Sequence, residues 1–116
     1  MKRALVTGAN RGIGFAIAKG LVDKGLEVFL GSRDRAAGEE AASKIGAKPL
    51  QIDVGDPQSI ATAMKELENI DVLINNAGVY LQGMPSELNK ADLSAAFHVN
   101  LLGPWYLTNQ LIPILK

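Results

Sequence analysis

Short apolar runs alternate with helical patterns along this chain, and that alternation constrains the fold more than any other feature. Arg3 to Thr7 reads as a buried strand that stops at Gly8. Ile13, Ile17 and Leu21 recur every four residues, with Ala16 and Ala18 as helix formers and Gly25 as a stop. Glu27 to Leu30 is a second strand, and Asp34 is placed to cap an Ala- and Glu-rich helix that Gly46 ends. Lys48 to Ile52 is a third strand, in which Pro49 is more comfortable near a sheet edge. Asp56 and Pro57 open a third helix carrying Ile60, Met64 and Leu67 at helical spacing. Ile70 to Ile74 is a fourth strand and Tyr80 to Pro85 a loop. Two more helices are expected, one from Asn89 to His98 and one from Asn100 to Leu115.

Four strand–helix alternations with short connections predict an α/β fold. It is a doubly wound parallel sheet of about four strands, built by right-handed crossovers, with helices on both faces. The strands are nearly continuous apolar runs, as strands buried on both faces should be. A length of 116 residues fits one domain, and 47% hydrophobic with 21% charged residues is ordinary for a soluble globule. Twelve basic and twelve acidic side chains cancel, so a broad nucleic-acid footprint is not expected. No stretch approaches the ~20 apolar residues of a membrane helix. The absence of Cys excludes disulfides, thiolate chemistry and Cys-based metal sites, and suits a reducing cytoplasm. A single His, His98, builds no metal cluster, so no metal is expected.

The first strand runs into Thr7-Gly8-Ala9-Asn10-Arg11-Gly12-Ile13-Gly14 and then directly into a helix. Glycines there let the backbone turn tightly and approach a ligand with no Cβ in the way. The helix that follows offers unpaired N–H groups and a positive dipole end, which suits a pyrophosphate. A glycine loop alone is equally consistent with a turn that needs glycine for packing. Its place at the head of an alternating pattern favours a dinucleotide.

With that loop in place the chain resembles the short-chain dehydrogenases/reductases, in particular their carbonyl-reductase-like members. Asn75-Asn76-Ala77-Gly78 follows the fourth strand, as the family's Asn-Asn-Ala-Gly does, and Asp53-Val54 follows the third. Asn100, in His98-Val99-Asn100-Leu101-Leu102-Gly103, matches the Asn of the family's catalytic set. The resemblance runs from Arg3 to Lys116 and covers the family's N-terminal half. It implies a Rossmann-type domain over residues 1–116, truncated before the fifth strand. It also implies cofactor binding by Gly8, Arg11, Gly12, Ile13, Gly14, Ser32, Arg33, Asp53, Val54, Asn75, Ala77 and Gly78, with Asn76 mainly structural. Asn100 is the one catalytic residue it places in this chain.

The second strand ends Leu30-Gly31-Ser32-Arg33-Asp34. An NAD-binding domain usually has a carboxylate there for the ribose 2′-OH. Ser32 occupies that place, Arg33 follows it, and Arg11 adds a second positive charge, a set that would accept a 2′-phosphate. The expected cofactor is NADP(H), with Asp34 reserved for capping.

The family's chemistry is hydride transfer between a nicotinamide and a carbonyl or alcohol. It uses a Tyr whose pKa an adjacent Lys lowers, four apart on one helix. Tyr80 is followed four later by Met84 and Tyr106 by Gln110, so neither fits. The 116 residues alone are therefore expected to be inactive. The favoured explanations are a fragment of a full reductase or the ordered part of a longer protein. The alternative is a natural truncation, a dinucleotide-binding or regulatory module without catalysis. A weaker third is a domain used only for protein association. An open edge on the fourth strand, with Val72 and Ile74 on its faces, predicts marginal stability or self-association.

Overall fold

The computed structural model describes residues 1–78 and 89–115. The loop expected at Tyr80 to Pro85 lies outside them. Four strands form one sheet: β1 (Arg3–Val6), β2 (Glu27–Ser32), β3 (Lys48–Gln51) and β4 (Val72–Ile74). Their order is β3-β2-β1-β4 and every pairing is parallel, with Leu5 opposite Phe29 on one side and Leu73 on the other. The strand containing Pro49 is an edge strand, where its missing N–H does no harm.

Successive residues of β1 point to opposite faces, and each face has its own core. Ala4 and Val6 pack with Val28, Leu30 and the small residues Ala18 of α1 (Gly12–Asp23) and Ala41 and Ala42 of α2 (Arg35–Ile45). Leu5 packs on the other face with Leu50, Ile60 of α3 (Pro57–Met64) and Leu107 and Leu111 of α5 (Gly103–Leu111). The sheet is thus doubly wound, as expected. Val72 and Ile74 of β4 are half-buried against the first cluster and Leu73 against the second.

The helix ends follow the sequence signals. Asp34 accepts the Ala37 N–H at 3.1 Å and Asp56 the Gln58 N–H at 3.0 Å, each capping its helix. Gly46 closes α2 in the left-handed region, at φ 75°.

Several boundaries differ: β4 starts at Val72 rather than Ile70, and α3 ends at Met64, short of Leu67. Glu27 to Leu30 extends to Ser32, which carries β2 up to the cleft described below. The two separate helices expected from Asn89 to Leu115 form one helical run instead. In it α4 (Lys90–Phe97) passes through a π turn (His98–Leu102) into α5, and a 3-10 turn (Ile112–Ile114) ends it. Gly103 and Pro104 stand where the π turn passes into α5. Gly103 lies against β3's exit, where a Cβ would overlap the Val54 carbonyl oxygen, and its own N–H donates to His98 O, five residues back. Pro104 brings no N–H to an α-type ladder, so the wider turn accommodates it. Past the 3-10 turn, Leu115 is extended and bridges Ile70 in parallel, with the Ile70 N–H on Ile114 O at 3.1 Å.

Candidate functional site

β1 is flanked by β2, reached by a crossover on one face, and by β4, reached by a crossover on the other. Open α/β sheets bind ligands at such a switch point, outside the carboxyl ends of the strands. A cleft of about 400 Å³ opens there.

Its first wall is the glycine loop. Gly8 and Gly12 have φ of 61° and 63°, the left-handed region that glycine enters without strain. A Cβ on Gly8 would lie 2.7 Å from Ala77 Cα, so the loops after β1 and β4 run in backbone contact. Arg11, extended at the N-cap of α1, makes no side-chain cap bond, and no acidic residue occupies the first turn. The leading N–H groups and the positive dipole end are therefore left for an anion. Gly8, Arg11, Gly12 and Ile13 line the cleft, and Ile13 is 75% exposed although its spacing suggested a core position. Gly14 does not line it. It packs beneath the loop, where a Cβ would meet the Gly8 carbonyl and the Asn76 amide.

The strand ends supply the other walls. Arg33 follows β2 and lines the cleft. Ser32 does not: it is 2% exposed and its hydroxyl donates to Asp34 O at 2.9 Å. Asp53 and Val54 line the cleft after β3. One Asp53 oxygen accepts the Gly55 N–H at 2.9 Å, and its own N–H donates to Ser59 Oγ at 2.8 Å. None of the ion pairs among the described residues involves Arg11, Arg33 or Asp53, so the cleft wall carries two unneutralised guanidiniums against one carboxylate.

After β4, Ala77 and Gly78 line the cleft. Asn75 turns away from it, its amide donating to Thr108 Oγ1 of α5 at 3.3 Å. Asn76 braces the site: its amide donates to Gly8 O at 3.0 Å and its N–H to Thr7 Oγ1 at 3.1 Å. Asn100 sits on the π turn, with Oδ1 3.2 Å from where a Gly78 Cβ would be. It stands beside the cleft rather than in its lining.

Sequence reasoning missed four lining residues: Asn10, Ile52, Asn76 as a wall as well as a brace, and Val99. Asn10 lies inside the glycine loop and was within reach of the motif. Val99 carried no signal, because its direction depends on the π turn.

This fold and cleft define a doubly wound, Rossmann-like α/β domain. A profile of the short chain dehydrogenase family matches residues 2–116, and the chain belongs to that family, whose members bind a nicotinamide dinucleotide. It is 36% identical over 123 residues to the mouse (Mus musculus) carbonyl reductase [NADPH] 1, covering 97% of this chain and 44% of that protein. It is 36% identical over 126 residues to the Aquifex aeolicus 3-oxoacyl-[acyl-carrier-protein] reductase, covering 99% of this chain and 51% of that one. The crystal structure of a Brucella melitensis 3-ketoacyl-(acyl-carrier-protein) reductase complexed with NADH superposes with TM-score 0.91 at 29% identity, over 97% of this chain and 50% of that one. The chain thus spans about half the length of these relatives.

Proposed function

We propose that residues 1–116 are the dinucleotide-binding domain of an NADP(H)-dependent oxidoreductase. Its reaction moves a hydride between the nicotinamide and a carbonyl or alcohol substrate. The observation that carries the cofactor choice is the pair Arg11 and Arg33 on one cleft, with no carboxylate at the end of β2. A carboxylate there would repel a 2′-phosphate, whereas guanidiniums bind it in a fork. The mouse relative's name carries NADPH and the Brucella neighbour holds NADH, so side chains rather than fold must select the cofactor.

Each element then has a task. Gly8, Gly12 and Ile13 cradle the pyrophosphate at the start of α1, and Gly14 lets that helix sit close enough. Arg11 and Arg33 hold the 2′-phosphate, and Asp53 and Val54 border the adenine. Ala77 and Gly78 line the ligand's path, and Asn75 holds α5 against it. Asn100, beside Gly78, is the catalytic candidate of this chain. The bound cofactor would give the hydride to a carbonyl or take it from an alcohol.

The same reading places the protein in the cytoplasm, with no nucleic-acid or membrane partner and no metal. It also has the protein associate with itself. Among the described residues no helix is long and apolar enough to cross a membrane.

Calorimetric titration with NADPH and then NADH tests the proposal. Saturable binding with NADPH clearly tighter is expected, and Arg33→Asp should weaken NADPH far more than NADH. Equal affinities, or no binding by a folded chain, would overturn it.

A further inference from the structure

Three consecutive carbonyls at the end of β2 are each held. Ser32 O accepts the Ile52 N–H at 2.9 Å. Arg33 O accepts from the Gln51 side-chain Nε2 at 3.2 Å. Asp34 O accepts the Ser32 hydroxyl at 2.9 Å and the Gly38 N–H at 3.0 Å. Ser32 and Gln51 are register partners across β2 and β3, so the two side chains that bind this segment start from neighbouring Cα positions. The Arg33 side chain between them is exposed, lines the cleft and enters no ion pair among the described residues.

The physical consequence concerns direction. An exposed arginine has many rotamers, and ordering one costs conformational entropy. Fixing the peptides on both sides of its Cα fixes the Cα–Cβ vector and narrows the volume the guanidinium can sweep. The Ser32 hydroxyl has one proton to donate, and it goes to Asp34 O. Ser32 is therefore engaged with the main chain rather than available as a phosphate donor.

We propose that Gln51 and Ser32 are positioning residues for Arg33. They hold its peptide so that the guanidinium stays over the ribose phosphate, and they thereby set the preference for a 2′-phosphorylated over an unphosphorylated dinucleotide. This rests on the NADP(H) reading above. Gln51 is exposed on an edge strand, so its bond contributes little to the fold and its loss registers in selectivity.

The test measures NADPH and NADH affinities of the full chain for Gln51→Met, Ser32→Ala, Arg33→Ala and the Gln51→Met/Arg33→Ala double variant. Gln51→Met should weaken NADPH about three- to tenfold, the reach of one modest hydrogen bond, and NADH less than about twofold. Ser32→Ala should shift the ratio the same way. The double variant should lose no more NADPH affinity than Arg33→Ala alone, because Gln51 acts through Arg33. Equal losses for both cofactors, no loss, or a loss that adds to that of Arg33→Ala overturns the proposal. If Arg33→Ala leaves the ratio unchanged, the NADP(H) reading falls and this inference with it. If Arg33→Ala shifts the ratio and Gln51→Met does not, only this inference falls. Should Ser32→Ala not fold, Gln51→Met decides alone.

Discussion

The Asn76 side-chain amide donates to the Gly8 carbonyl at 3.0 Å, across 68 residues of sequence. That bond joins the loop after β4 to the loop after β1. Beside it, the buried Thr7 hydroxyl accepts the N–H groups of both Asn76 and Ala77 at 3.1 Å. The two loops on which the proposed cofactor site depends are thus held by two side chains.

Asn76→Ala should therefore cost about 1–2 kcal/mol, since it leaves a part-buried carbonyl without its partner. Thr7→Val should cost roughly 2–3 kcal/mol, since it strands two N–H groups at once. Asn75→Ala removes only an exposed bond to Thr108 and should stay within about 0.5 kcal/mol. Urea unfolding of the three variants checks the ranking, and an Asn75→Ala loss as large as that of Asn76→Ala would contradict it.

Glycine substitutions should separate by place. Gly103→Ala puts a methyl into the Val54 carbonyl, and Gly8→Ala puts one 2.7 Å from Ala77 Cα at a left-handed φ. Each should cost at least about 2–3 kcal/mol, and neither loop can retreat without opening the cleft. Gly20 is in mid-helix with nothing within 4 Å of its Cβ position. Gly20→Ala should stabilise the chain by about 0.5–1 kcal/mol. Thermal unfolding reads all three, and a stabilising Gly103→Ala would sink the packing argument.

Much of this fold was legible because local signals agreed. Asp34, Gly46, Asp56 and Pro57 mark helix ends by chemistry that acts within a few residues. The doubly wound parallel sheet followed from alternation and crossover handedness. Less was legible where a residue's task depends on distant chain. Asn75 and Asn76 are neighbours of one type, yet one points at Thr108 and the other at Gly8, 68 residues back. Ser32 stood at the expected ligand position, but its hydroxyl is taken by Asp34 O. Nothing local to Gly103 shows that Val54 lies against that turn.

Leu93, Phe97, Leu101 and Trp105 recur every fourth residue on the helical run and are all exposed. A stripe of that kind favours association, so sedimentation should show a mass that rises with concentration. Trp105→Glu should shift the rise to higher concentration without lowering the unfolding temperature of the monomer. A mass independent of concentration would remove self-association from the proposal.

Glu27 gives the fold a pH dependence of known sign. Hydrogen bonds from Lys48, first, and then from Arg3 hold its carboxyl below the ordinary value, against a smaller opposing effect of burial. The Arg3 Nε lies 3.0 Å from Glu27 Oε2, and Lys48 Nζ bonds the other oxygen. Protonation must break both ion pairs, so the folded state holds this proton more weakly than the unfolded chain does. The stabilisation is then complete above the unfolded carboxyl value, about 4.3, and is lost as pH falls through the lower folded value. Glu27→Gln removes the charge at every pH. The urea midpoints of wild type and Glu27→Gln should therefore differ by a constant amount above about pH 5.5 and converge below about pH 4. Lys48 is 64% exposed, so salt should narrow the gap at neutral pH as well. A gap that widened on acidification would mean that the carboxyl is held above, not below, its ordinary value.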